Sequence, residues 1–199
     1  MLNPRPKLLD VLEERGFAVF ENGDYNLNII GVRKRFGTPN KFDDTLVVIY
    51  KKWGMWQESR FAITTDPGLY WLKNPMRVEG TAILVHDRQY RGAWRLAKHR
   101  GVYTALCQRK PVDVFRDPNK DGIPDMNQNN IHTGLYGINI HKAGKSSENV
   151  NKWSAGCQVF ANLEDFNKFI DLCMLQKNML KAESFTYTLL QEKESDANL

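Results

Sequence analysis

Short runs of apolar, β-branched and aromatic residues, each bounded by Gly, Pro, Asn or Asp, recur through the middle of the chain. Runs of this length and composition are typical of β-strands, and several at this spacing favour a mostly antiparallel β core. Strands are predicted at residues 46–50, 61–65, 81–85, 103–107, 112–115 and 185–189. The basic segment 91–100 is predicted to form a short helix or a basic loop.

Two segments carry apolar residues at helical spacing. Residues 7–15 place leucines on one face, with a proline suited to the first turn and a glycine suited to the stop. A second helix follows Asn162, which is a good N-cap residue with acidic residues behind it. Its apolar face comprises Leu163, Phe166, Phe169, Ile170 and Cys173. This periodicity predicts that Cys173 is a core residue, and Cys107, inside an apolar strand, is interpreted in the same way.

The length of 199 residues suits one ordinary domain with a short N-terminal appendage. We assign the N-terminal helix and extension to residues 1–39, a β-rich α+β domain to residues 40–190, and a charged, frayed tail to residues 191–199. No internal repeat or low-complexity segment interrupts this organisation.

Composition narrows the class of protein without naming a partner. An apolar fraction of 42% supports a sizeable core, and a net charge of +5 suits an anionic partner such as a cell wall, a membrane surface or nucleic acid. Three cysteines without a C-x-x-C pair argue against a disulfide scaffold. The N-terminus lacks the pattern of a signal peptide, and no window is apolar enough to span a membrane. We therefore expect a monomer synthesised in the cytoplasm without a signal peptide.

The segment from His141 to Cys157 carries the clearest chemistry. A histidine at a predicted strand end is followed by a polar Gly/Ser/Asn loop and then by Ser154, Ala155, Gly156 and Cys157. An imidazole that takes the proton of a thiol creates a thiolate nucleophile, and a glycine beside it lets backbone N–H groups point at an oxyanion. The same spacing also fits a surface histidine and a buried, inert thiol, because one Cys and one His form a weak pattern.

The order Gly-x-x-Ile-His, polar loop, Ser-x-Gly-Cys resembles the signature of the L,D-transpeptidase (YkuD-like) catalytic domain, a cysteine-enzyme fold that acts on peptidoglycan stem peptides. Segments 42–50 and 61–70 are similar to the opening strands and the following turn of that family. The resemblance covers roughly residues 40–172 and implies a β-rich α+β L,D-transpeptidase-like catalytic domain with a helix after the nucleophile.

By position, the resemblance implies that Cys157 is the nucleophile and His141 its base. Ser154 and Gly156 would then shape the loop, and the N–H groups near Gly156 and Cys157 would form the oxyanion hole. The resemblance implies that the reaction requires no cofactor.

This chain departs from the family pattern at three positions. Ala155 replaces a histidine, Val159 replaces an arginine two residues after the nucleophile, and Lys142 stands where glycine commonly follows the catalytic histidine. Loss of the arginine removes a cation that would hold a stem-peptide carboxylate. The predicted substitutes in substrate binding are Gln158, Lys142 and His99. Trp153 is interpreted as a packing residue under the loop.

The resemblance implies acyl transfer through a Cys157 thioester with bacterial peptidoglycan as the partner, and nucleic acid is not expected to bind. The absent export signal favours a peptidoglycan hydrolase, such as an endolysin used by a bacteriophage for lysis, which acts on the wall after release or delivery. The alternatives are an L,D-transpeptidase that cross-links or exchanges stem peptides, and a non-catalytic wall-binding or virion module on the same fold.

A second motif spans residues 117–125. Oxygen-bearing side chains at positions 1, 3, 5 and 9, with glycine at 6, match the first part of a Ca²⁺ loop and resemble thrombospondin type 3 and dockerin-like repeats. These side chains are Asp117, Asn119, Asp121 and Asp125. The twelfth position, where a carboxylate normally completes the shell, is Gln128. A turn-rich hairpin that uses Asp, Asn, Gly and Pro for backbone reasons explains the segment equally well.

Overall fold

The computed structural model of the protein describes residues 4–193, which form an α+β fold. Helix α1 (Lys7–Glu14) is followed by strands β1 (Asn28–Arg33), β2 (Asp44–Lys52) and β3 (Met55–Thr64). Helix α2 (Leu69–Lys73) precedes β4 (Thr81–Leu84), β5 (Arg88–His99), β6 (Tyr103–Gln108), β7 (Val112–Asp117) and β8 (Ile131–Gly134). The order ends with β9 (Ile140–Lys142), β10 (Gln158–Phe160), α3 (Leu163–Leu180) and β11 (Phe185–Gln191).

Eight strands close into a barrel in the order β1-β11-β5-β6-β9-β10-β3-β2, and β4, β7 and β8 form a separate sheet. The pairs β1–β11 and β9–β10 are parallel, whereas the other pairs are antiparallel. Trp94, Phe160 and Tyr187 are among the large side chains fully buried inside. The predicted β-rich α+β class and the mostly antiparallel core are therefore confirmed.

The six predicted strands coincide with β2, β3, β4, β6, β7 and β11, and two of them, 61–65 and 81–85, extend one residue past the observed strand. The prediction of a helix or loop at 91–100 is wrong, because these residues belong to β5, which pairs with β11 and β6. The register of β5 shifts opposite Phe185 and Tyr187, and Gly92 has a φ of +57° there. Such a bulge breaks the alternation of inward and outward side chains, which hides a strand from pattern analysis.

Both predicted helices are present. The leucines of α1 pack against a cluster on the barrel that includes Ile30, Val47 and Leu190. Helix α3 begins at Leu163, and the side chain of its N-cap residue Asn162 accepts hydrogen bonds from the backbone N–H groups of the first turn. Cys173 is buried as predicted, whereas Cys107 is only half-buried, since its side chain lies at the edge of the core.

Strand β1 lies between β11 and β2 and completes the barrel. The predicted boundary after residue 39 therefore does not separate an N-terminal appendage from the rest, because β1 contributes to the shared core. At the other end β11 includes Gln191, and residues 194–199 of the predicted tail lie outside the described residues. Within residues 4–193, no helix has the length and apolar character required to span a membrane.

Candidate active site

Strand pairing brings the two ends of the His–Cys segment together. Strands β9 and β10 lie side by side in parallel, with Val159 opposite His141. The intervening loop returns the chain so that Cys157 lies immediately before β10, beside Asn139. The backbone N–H of Asn139 donates to the Cys157 sulfur over 3.4 Å, and the thiol donates to the Gly137 carbonyl over 3.4 Å.

Cys157, His141 and His99 line one cavity of about 160 Å³. The structure thus places the predicted nucleophile and base together with the histidine that the sequence offered as a substrate contact. The cavity is also lined by Met76, Arg100, Tyr136, Gly137, Ile138, Asn139, Trp153 and Ala155.

A backbone carbonyl orients His141. Its Nδ1 lies 2.9 Å from the Lys142 carbonyl oxygen, which only accepts hydrogen bonds, so Nδ1 carries the proton and donates. In the neutral ring this leaves Nε2 unprotonated and able to act as a base. Burial, and the neighbouring His99, lower the pKa of His141 to about 4, so the ring is neutral at pH 7.

His99 stacks on His141 with 4.3 Å between ring centroids and 22° between planes. Its Nδ1 lies 3.1 Å from Asn139 Nδ2. Because Asn139 Oδ1 accepts from the Gln108 N–H, the amide nitrogen of Asn139 donates and His99 Nδ1 accepts. Neutral His99 therefore carries its proton on Nε2, the opposite tautomer to His141. Burial and the charge of Arg100 lower the pKa of His99, which favours the neutral ring.

The thiol is also neutral in the free protein. Burial raises the pKa of Cys157 to about 11, although the backbone N–H of Asn139 opposes this shift. A resting thiolate–imidazolium pair is therefore not formed at neutral pH. For Cys157 to act as a nucleophile, its proton would have to move to His141 as the sulfur attacks.

Ser154 and Gly156 shape the turn before Cys157. The buried Ser154 hydroxyl donates to the Cys157 carbonyl over 2.8 Å and accepts from the Gly156 N–H over 3.2 Å. Gly156 has a φ of +119°, and a Cβ there would lie 2.3 Å from the Ala82 carbonyl oxygen, so only glycine fits. The Gly156 N–H already donates to the Ser154 hydroxyl, so it is not free for the oxyanion hole of two backbone N–H groups that the sequence predicts. The Cys157 N–H remains as the backbone donor without a partner among the residues described.

Two predicted substrate contacts are not at the cavity. Gln158 is fully buried, its side chain bonds to the Tyr187 hydroxyl and the Gly156 carbonyl, and it does not line the Cys157 cavity. The Lys142 ammonium lies 5.0 Å from the centre of the Tyr103 ring and is not among the lining residues of the cavity. The backbone of Lys142, which orients His141, takes part in the site instead.

Asn139 and Trp153 are site residues that the sequence analysis missed. Asn139 precedes His141 by two positions, a spacing that places both side chains on one side of a strand and is a usable sequence signal. Trp153, expected to pack beneath the loop, is 46% exposed and lines the cavity. Its exposure follows from the path of the loop, which residue type does not reveal.

The loop after β7 contains the residues predicted to bind Ca²⁺. The Asp117 carboxylate is buried, and neither oxygen has a hydrogen-bond partner. Asn119 and Asp121 accept backbone N–H groups two residues onward, as in Asx turns. Within residues 4–193, no three or more His, Cys, Asp or Glu side chains are grouped closely enough to hold a metal ion. Calcium binding by Asp117, Asn119, Asp121 and Asp125 stays a prediction.

Comparisons of the chain with protein-family models, with curated proteins and with solved structures found no match. Function is therefore inferred from the geometry of the site and from the motif resemblance.

Proposed function

We propose that the protein is a cysteine peptidase that hydrolyses peptidoglycan stem peptides through a thioester on Cys157. The observation that carries the proposal is the shared cavity of Cys157, His141 and His99, in which the Lys142 carbonyl leaves His141 Nε2 available as a base. The ordered His–loop–Ser-x-Gly-Cys motif supplies the substrate class. It also supports the assignment of this barrel to the L,D-transpeptidase catalytic fold.

Acylation begins when the Cys157 sulfur attacks the substrate carbonyl while His141 Nε2 takes the thiol proton. The C–S bond forms, and the carbonyl oxygen becomes an oxyanion. We assign its stabilisation to the Cys157 N–H and the Nε2–H of His99. Protonated His141 then gives its proton to the leaving amine as the C–N bond breaks, which leaves the thioester.

Deacylation follows the same steps, with water as the attacking group. His141 Nε2 takes a proton from the attacking water, and a second tetrahedral intermediate forms. Its collapse breaks the C–S bond and releases the new carboxyl group. The proton on His141 returns to the Cys157 sulfur, so the protein is regenerated as the neutral thiol and imidazole.

The charge of the cavity favours water over an amine as the acceptor. Arg100 lines the Cys157 cavity, Arg77 and Arg116 line an adjoining one, and neither lining includes Asp or Glu. An acceptor amine arrives mainly as an ammonium ion at neutral pH, and cationic surroundings lower its local concentration. Water is unaffected by this repulsion, which supports hydrolysis over transpeptidation.

Product analysis distinguishes hydrolysis from transpeptidation. The protein is incubated with purified muropeptides in ¹⁸O-labelled water, with and without an added D-amino acid, and the products are read by mass spectrometry. A peptidase gives shorter peptides with label in the new carboxylate. Exchange of a terminal D-residue at a rate that rises with D-amino acid concentration, with little hydrolysis, would establish transpeptidation instead.

One observation favours a second candidate, a non-catalytic wall-binding or virion module. The pKa of about 11 for Cys157 is what an inert buried thiol would have. Cys157→Ala and His141→Ala separate the two. For an enzyme, each change alone lowers turnover by about 10²-fold or more, and the double change adds little. Wall binding without turnover, unchanged in both variants, would establish the non-catalytic module.

A further inference from the structure

Arg116, on β7, is a buried cation without an acidic partner. The residue is 5% exposed, and no Asp or Glu lies within ion-pair distance of it in the described part of the chain. Its Nη1 donates to the Gly80 carbonyl over 3.1 Å, and its guanidinium carbon lies 4.5 Å from the centre of the Tyr136 ring. Nε has no hydrogen-bond partner. A buried, uncompensated charge is unfavourable unless an anion completes the site.

The neighbouring Asp117 does not neutralise Arg116. Successive side chains of a strand point to opposite faces, so Arg116 shares its face with Val112 and Val114, whereas Asp117 shares the other face with Phe115. The valines belong to the main core, and Phe115 belongs to a separate cluster. The two unpartnered charges therefore face different regions of the protein.

Arg116 lines a cavity of about 100 Å³ that adjoins the Cys157 cavity. Met76, Tyr136 and Ala155 line both cavities. The backbone makes the same connection, because Gly156 lies against the Ala82 carbonyl and Ala82 pairs with Arg116 between β4 and β7. A peptide that presents a carbonyl to Cys157 can thus extend to Arg116.

We propose that Arg116 binds a carboxylate of the acyl-donor peptide, a role that rests on the proposed function of Cys157. The hydrogen bond from Nη1 to Gly80 and the burial of Nε leave Nη2 as the donor for a carboxylate. At the position where the resembling family has arginine, Val159 is buried in the barrel. Here the cation comes from β7, and Ala155, whose side chain is short where that family has histidine, lines both cavities.

Equilibrium binding tests the subsite without requiring turnover. The probes are a synthetic stem tetrapeptide with two free carboxylates and two analogues of it. Each analogue is amidated at a different one of the two carboxylates. They are titrated against Cys157→Ala protein by calorimetry. We expect amidation of one carboxylate to weaken binding about 10- to 100-fold, the effect of losing a charge-assisted hydrogen-bonded pair. Equal binding of all three peptides would overturn the proposal.

Variants then assign the effect to Arg116. In the Cys157→Ala background, Arg116→Met should bind the free and amidated peptides equally, and Arg116→Lys should retain part of the preference. Arg95→Met, which removes an exposed cation on β5, is the matched control and should keep the full preference. A full preference in Arg116→Met would refute the assignment. Thermal melting verifies that each variant is folded, and the comparison of acid and amide peptides in the Cys157→Ala protein needs no Arg116 variant.

The two proposals fail in different ways. Carboxylate-dependent binding that requires Arg116, without a thioester in wild-type protein, would remove the peptidase proposal and keep the subsite. A thioester that forms at equal rates from the free and amidated peptides would keep the peptidase and remove the subsite.

Discussion

The imidazole rings of His99 and His141 stack 4.3 Å apart beside the Cys157 thiol. Their hydrogen bonds impose opposite neutral tautomers, so one ring presents an acceptor and the other a donor at Nε2. Two stacked rings cannot both become cations at low cost, because like charges repel at this distance. His99 therefore helps to keep His141 neutral, which is the state a base requires.

Removal of His99 should change the pH dependence of activity. Burial and His99 lower the pKa of His141, so His99→Asn should raise that pKa. The acid limb of the kcat/KM profile, below which His141 is protonated, should then move to higher pH. His132→Asn, which alters an exposed histidine on β8, is the control and should leave the profile in place. An unmoved acid limb in His99→Asn would refute electrostatic coupling of the rings.

The lowered pKa of His141 should also make the free energy of unfolding depend on pH. Between pH 6.5, its ordinary value, and about 4, the unfolded chain binds a proton that the folded protein excludes. This contribution to the free energy of unfolding is therefore highest above pH 6.5. As the pH is lowered to about 4, the contribution decreases by up to about 3 kcal/mol. Burial raises the pKa of Asp44 to about 7, which acts with the opposite sign. The measurement is therefore the difference in urea stability between wild type and His141→Gln across this window, and a pH-independent difference would contradict the prediction.

Alkylation of Cys157 should accelerate with pH through the neutral range. Because the pKa of Cys157 is about 11, the thiolate fraction and the iodoacetamide rate should rise about tenfold per pH unit from pH 7 to 10. Cys173, which is fully buried, is the internal control and should remain unlabelled in the folded protein. Peptide mapping by mass spectrometry follows the three cysteines separately. A rate plateau at pH 6–7 would mean that the resting thiolate exists after all.

Gly156→Ala should destabilise the protein and inactivate the site. The positive φ costs about 1–3 kcal/mol for alanine, and the contact with the Ala82 carbonyl adds a steric term. Gly16→Ala is the comparison at an open position with positive φ, since Gly16 has a φ of +74° and no neighbouring atom lies within 4 Å of the position that an alanine methyl group would occupy. Chemical denaturation should show a larger loss of stability for Gly156→Ala. Equal losses would mean that the close approach to Ala82 is unimportant.

Calcium should stabilise the protein if the loop after β7 binds it. At a Ca²⁺ concentration of 100 times Kd the gain is about 2.7 kcal/mol, visible as a higher Tm than in EDTA. Burial raises the pKa of Asp117 and makes its ionised carboxylate unfavourable, although the backbone N–H groups of Asn119 and Asp125 oppose this shift. Asp117→Asn should thus raise the Tm in EDTA and abolish the calcium response. Asp171→Asn, at an exposed position of α3, should retain it. A Tm independent of Ca²⁺ would leave the turn-rich hairpin as the explanation.

Features that depend on near neighbours in the chain were predictable from the sequence. Apolar runs located six strands, helical spacing placed Cys173 in the core, and the Asn162 cap marked the start of α3. The His141–Cys157 segment was also recognisable, because its residue types and order carry the chemistry. Each of these signals is contained within a few residues or one loop.

Tertiary structure decided what depends on distant segments. Pairing of β5, β6 and β9 brings His99 against His141. The alternation of side chains along each strand points Gln158 into the barrel and Arg116 towards the cavity that it lines. Burial, rather than residue type, sets the neutral states of Cys157 and His141. The physical reason is that strand register and desolvation arise from contacts between residues far apart in the chain, which local periodicity does not encode.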